Sequence, residues 1–194
     1  MEKDKVIPGC RLLIIGGSAG SLEVLLKILP PLTSISFSLV IVLHRKSAED
    51  NTLEELIAAK TVVPVTEVED KTPMLPGYIY IAPSDYHVLF ENDDTLSLDT
   101  SEKVNYSRPS IDVSFESAAD VYGPALCAIL LSGANADGTA GLVAVRKAGG
   151  TIIVQDPETA GMPFMPNNAI ENFIPDMVLN VEEIGEFVRG AIHK

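Results

Sequence analysis

Apolar positions along this chain follow two periods. Residues 12–15, 37–43 and 125–131 are almost uninterrupted aliphatic runs, the signature of strands covered on both faces. Between them, apolar residues recur at helical spacing, as at Leu22, Leu25, Leu26 and Leu29 before Pro30-Pro31 closes the segment. In order, the pattern predicts a strand at 12–15, a helix through 22–29, and a strand at 37–43 ending at His44. A helix capped by Asn51 follows through Leu53, Leu56 and Ile57, then strands at 61–68 and 78–82. Residues 88–90 and 96–98, joined by Asn92-Asp93-Asp94, read as an antiparallel hairpin at the sheet margin. Ser110 is expected to cap a helix to about Tyr122, followed by the strand 125–131 and a helix from about Thr139 to Lys147. A strand at 151–154, an irregular stretch 158–166, a helix over 167–172, a strand at 177–179 and a helix over 181–192 complete the chain. Strands alternating with helices imply a doubly wound α/β fold: a mostly parallel sheet with helices on both faces, plus the small hairpin. No repeat or linker divides it, so residues 1–194 are expected to form a single domain.

In such folds, polar residues just past the carboxyl ends of strands collect in one crevice. Ser18, His44 and Asp137 all directly follow apolar runs. Ser18 is the apex of Gly16-Gly17-Ser18-Ala19-Gly20, a G-x-S-x-G turn between strand and helix. A packing turn is the bland account of such a match. A dinucleotide loop would need glycine at position 18, and a P-loop would need a Gly-Lys-Ser/Thr ending that is absent.

A serine hydroxyl becomes a nucleophile when a base takes its proton, and a carboxylate on the base's other nitrogen fixes its tautomer. Of the three histidines, His44 is the candidate base, His87 a fallback base or part of the groove rim, and His193 a surface residue. Asp137 is the candidate orienter, and capping of the helix that follows is its compatible structural role. The backbone amides of Ala19 and Ala134 are candidate oxyanion donors. The order serine, histidine, aspartate differs from that of the α/β-hydrolases, so a triad here belongs to another fold.

Composition narrows the partners. With 27 acidic against 14 basic residues the net charge is −13, which disfavours nucleic acid and anionic membrane surfaces. No apolar run is long enough to span a bilayer, and Met1-Glu2-Lys3-Asp4-Lys5 lacks a signal-peptide core, so a cytoplasmic protein without membrane insertion is expected. Cys10 and Cys127 read as structural thiols, and no metal site is expected.

The chain resembles the catalytic domain of chemotaxis protein-glutamate methylesterases (CheB). Carrying the resemblance are residues 15–20, Leu43-His44, and Pro76-Gly77-Tyr78-Ile79-Tyr80-Ile81-Ala82-Pro83 with His87. To these add Arg108-Pro109-Ser110-Ile111-Asp112-Val113, Leu131-Ser132-Gly133 with Asp137-Gly138, and Gly161-Met162-Pro163. The resemblance implies Ser18 as nucleophile, His44 as base and Asp137 as orienter, without cofactor or metal. It implies hydrolysis of γ-glutamyl methyl esters on the cytoplasmic helices of chemoreceptors, with release of methanol, and deamidation of receptor glutamines in many members. Ala19 stands where the family commonly has Ser or Thr, Arg45-Lys46-Ser47 where Met-Pro follows the histidine, and Ala134-Asn135-Ala136 in the acid loop. Arg45 and Lys46 are candidates to steer an acidic helix. The usual N-terminal receiver domain is not in this sequence, so an accessible domain or control by a separate receiver protein is expected. Two other functions compete: a receptor-binding module without turnover, and a general small-ester hydrolase.

Overall fold

The computed structural model describes residues 9–45 and 52–190. Among these residues ten strands and six α-helices follow one another: β1 (Leu12–Gly17), α1 (Ser21–Ile28), β2 (Ser38–Leu43), α2 (Thr52–Ala58), β3 (Val65–Glu67), β4 (Thr72–Pro73), β5 (Ile79–Ile81), β6 (His87–Phe90), β7 (Thr95–Asp99), α3 (Ile111–Tyr122), β8 (Leu126–Leu130), α4 (Thr139–Lys147), β9 (Thr151–Gln155), α5 (Phe164–Asn172), β10 (Met177–Leu179) and α6 (Val181–Gly190).

Seven strands form one sheet in the order β10-β9-β8-β1-β2-β5-β3, every pair parallel. The aliphatic runs occupy its centre. β1, β2 and β8 are buried at every position, while β3 and β10 at the edges are only partly covered. The side-chain alternation of a strand divides each run between two cores. Leu12, Ile14, Val40 and Val42 pack with Phe115 and Leu142 on the face carrying α3 and α4, whereas Leu13, Ile15, Leu39 and Ile41 pack with Leu25, Ile57 and Val188 on the other. From β1 the chain builds outward through β2 to β5, then returns to place β8 on β1's opposite flank. The strand order therefore reverses between β1 and β8, and a crevice opens there at the carboxyl edge.

The doubly wound arrangement agrees with expectation, and several details differ. The run at 61–68 yields only the short edge strand β3, because Pro64 has no N–H to donate to a ladder. Its carbonyl instead accepts from Ile79 N at 2.8 Å. The hairpin does not extend the main sheet. β4, β7 and β6 form a separate antiparallel sheet that packs on α3, with Ser114 Oγ donating to Val88 O at 3.0 Å. α5 begins at Phe164, ahead of the expected 167, and holds Pro166 in its first turn, where the missing N–H costs no helix bond. The Asn51 cap, Lys46, His193 and the end of the last helix beyond residue 190 lie outside the described residues. Among the described residues no helix is long and apolar enough to cross a membrane.

Candidate active site

Ser18, His44 and Asp137 follow β1, β2 and β8, the three central neighbours of the sheet. Gly17 pairs with Leu43 in register, and His44 N donates to Gly17 O at 3.1 Å, so Ser18 and His44 leave the sheet side by side. The turn after β1 depends on two glycines. A Cβ on Gly17 would collide with Ser21 Oγ, and Gly20 holds φ +85° at the N-cap of α1. Ser21 Oγ accepts from Ser18 N at 3.1 Å and donates to Ser132 O at 2.7 Å, locking the turn to the end of β8. Ser132 Oγ then donates to Ala19 O at 2.6 Å and accepts from Met162 N at 2.8 Å.

Across the end of β1, His44 Nε2 meets Asp137 Oδ2 at 2.6 Å. Asp137 is fully buried, yet its carboxylate is saturated with donors. Oδ2 also accepts from Ile111 N at 2.7 Å, while Oδ1 accepts from Ser110 Oγ at 2.9 Å, Asp112 N at 3.0 Å and Gly138 N at 3.1 Å. The charge thus sits on the N-terminus of α3, where free N–H groups and the helix dipole favour an anion. Burial works to raise this carboxyl's pKa, but the His44 bond and the Asp112 and Ile111 amides outweigh it and hold the group below its ordinary value.

The capping role expected for Asp137 is therefore corrected: it caps α3, and α4 is served by another carboxylate. Asp112 Oδ1, from the first turn of α3, accepts from Gly138 N at 2.9 Å and Gly141 N at 2.7 Å. Asp112 of α3 thus serves the N-terminus of α4, and Asp137, just ahead of α4, serves that of α3. Burial is the main cause that pushes Asp112 up to about 6, and the neighbouring Asp137 charge adds to it. Asn105 Nδ2 bridges the pair, donating to Asp112 Oδ2 at 2.9 Å and Asp137 Oδ1 at 3.4 Å.

With Nε2–H directed at a carboxylate, His44 keeps its lone pair on Nδ1. Ser107 Oγ lies 3.4 Å from that nitrogen. Ser18 Oγ makes no hydrogen bond to His44 or Asp137 among the described residues, while the His44 and Asp137 side chains are joined directly. The N–H groups of Ala19 and Ala134 have no protein acceptor among the described residues, and both residues are exposed.

His87 is corrected more fully. It is buried, its Nδ1 accepts from Ser110 N at 3.1 Å and its Nε2 donates to Glu102 O at 2.9 Å, so no lone pair is free for catalysis and no face reaches the groove. Arg45, expected to steer a partner, is held by Glu67 at 2.5 Å and by Ala82 O at 3.2 Å. Sequence reasoning passed over Asn105, Ser107, Asp112 and Ser132 as site residues. Two of them carried a signal: Ser132 directly follows the apolar run 125–131, and Asp112 lies in the Arg108-to-Val113 block. Among the described residues no group of three or more His, Cys, Asp or Glu side chains is placed to hold a metal ion.

The model of the CheB methylesterase family matches residues 13–188. A putative protein-glutamate methylesterase/protein-glutamine glutaminase of Leptospira interrogans serogroup Icterohaemorrhagiae serovar copenhageni is 41% identical over 179 residues, covering 91% of this chain and 93% of that protein. A protein-glutamate methylesterase/protein-glutamine glutaminase of Thermotoga maritima is 33% identical over 180 residues, and there the match spans only 52% of the relative. The crystal structure of the Thermotoga maritima CheB methylesterase catalytic domain superimposes with a TM-score of 0.87 at 33% identity, covering 92% of this chain and 97% of that one. The chain belongs to the CheB methylesterase family.

Proposed function

We propose that this protein is a serine esterase that hydrolyses γ-glutamyl methyl esters on chemoreceptor helices, releasing methanol, and deamidates glutamine by the same attack. Its relatives carry both activities in their names. Residues 1–194 act as one catalytic unit in this reading. Ser18 Oγ attacks the ester carbonyl while His44 Nδ1 accepts its proton, and Asp137 stabilises the imidazolium through Nε2–H. The oxyanion is received by the Ala19 and Ala134 N–H groups, each worth on the order of 3 kcal/mol in the transition state. The imidazolium then protonates the departing methoxide oxygen to give methanol, leaving a glutamyl ester on Ser18, and a water activated by the same nitrogen cleaves it.

The observation that carries the reading is the 2.6 Å contact between His44 and the buried Asp137, drawn across the end of the strand that delivers Ser18. In substrate-free enzymes the nucleophile-to-base hydrogen bond is often long and tightens on binding. Replacing Ser18 with alanine should reduce methanol release from methylated receptor by roughly 10³-fold or more while leaving the melting temperature unchanged. Release that persists in this variant rejects the proposal.

A further inference from the structure

Beside His44 lies an open cleft of about 400 Å³ whose lining includes Arg45, Lys103, Tyr106, Ser107 and Arg108. Its charge runs against that of the molecule. The chain carries −13, yet three of its 14 basic residues converge here, and among the described residues Asp85 is the one acid on the cleft wall. Glu67 neutralises Arg45. Arg108 Nη1 donates to the carbonyls of Thr100 and Ser101, each at 2.8 Å, and its Nε is buried without a partner. Among the described residues, neither Arg108 nor Lys103 has a carboxylate partner. Two cations thus face one acid at the mouth of the site.

The wall of the cleft is a built element. Val104 and Ser107 form an isolated antiparallel bridge around Asn105 and Tyr106, both at positive φ (50° and 63°), a tight turn that ordinarily uses glycine or asparagine. Asn105 anchors it to Asp112 and Asp137 from below, and Ser107 sits against His44. Tyr106 at the tip is 98% exposed, and a second concavity bounded by Lys103 and Asn105 lies along it. Holding a solvated aromatic in a left-handed conformation is unfavourable for the free protein, and such strain concentrates where a ligand is gripped.

We infer that this cleft docks an acidic polypeptide segment, with Lys103 and Arg108 facing its carboxylates and Tyr106 packing on its aliphatic stems. The inference rests on the esterase reading, because it places the flanks of the ester-bearing residue there. Complementary charge at such a rim sets partner choice and salt dependence.

Binding tests it without turnover. Two fluorescent peptides carry the same γ-methyl glutamyl residue, one flanked by glutamates and the other by glutamines, and each is titrated by anisotropy against the Ser18→Ala protein. The acidic peptide should bind about tenfold more tightly at low salt, an advantage lost in roughly 0.5 M sodium chloride. Lys103→Glu in the same background should abolish the preference, and Tyr106→Ala should weaken both peptides by about fivefold. Equal binding of the two peptides, or a preference that survives Lys103→Glu, overturns the docking inference. Methanol release by the wild type separately decides the esterase reading.

Discussion

At the scale of single residues, the site turns on how a fully buried carboxylate stays ionised. Asp137 accepts two main-chain amides of α3, the Ser110 hydroxyl and the His44 ring, and these contacts replace the water it has lost. Asp137→Asn keeps the shape but offers His44 an amide, which favours the wrong tautomer. Its kcat for ester hydrolysis should fall by roughly 10³- to 10⁴-fold, as measured by methanol release. Asp112 shows the opposite balance, since burial pushes it up to about 6 from its ordinary 3.8. A raised folded value means that its contribution to stability is complete below the unfolded value and is lost as pH rises through the folded one. Asp137, held low, contributes above its unfolded value and loses that contribution only in stronger acid. The melting temperature of Asp112→Asn relative to wild type should therefore rise between pH 4 and pH 6 and level off above that. A difference that stays constant across the window would remove the account of this carboxyl.

At the scale of elements, the site depends on how closely α3 and α4 approach. Gly141 sits in α4 where a Cβ would fall 2.6 Å from Phe115 Cβ and 3.0 Å from Asp112 O. Helix propensity alone predicts that Gly141→Ala stabilises by about 1 kcal/mol. The packing predicts the reverse sign, a loss of about 1–3 kcal/mol in denaturant unfolding, together with reduced activity because Asp112 and Asp137 straddle the contact. Elements of this kind were the most legible part of the sequence. α4 and β10 fall on the expected residues, and Ser110 caps α3 by accepting from Val113 N at 3.4 Å. What periodicity could not reveal was partnership. The hairpin residues announced an antiparallel pair, but β4 is too short to register as a pattern, and it completes a sheet of its own. Nor does spacing show that Asp112 and Asp137 exchange helices, because that depends on two N-termini meeting in space.

At the scale of the whole molecule, the chain order leaves β1 flanked by β2 and β8, and the reversal there gathers residues 18, 44 and 137 at one edge. That gathering was readable from the rule that polar residues beyond strand ends share a crevice. The loop over 103–109 was not, because its role comes from anchoring to those side chains and not from any pattern of its own. The same central sheet buries Cys127 completely, and burial raises its thiol well above the ordinary value. Alkylation of Cys127 should therefore be negligible in the native protein and should follow the global unfolding transition in denaturant, as read by mass spectrometry. Modification well below that transition would show that the centre of the sheet opens locally.

The central claim concerns which hydroxyl the His44–Asp137 pair activates, since Ser107 Oγ is the one 3.4 Å from Nδ1 and Ser18 is the one at the glycine turn beside unpaired amides. Labelling with a fluorophosphonate, followed by peptide mapping, decides it. The account predicts a single adduct on Ser18, formed far more slowly in Asp137→Asn. An adduct on Ser107, or no adduct at all, would contradict it.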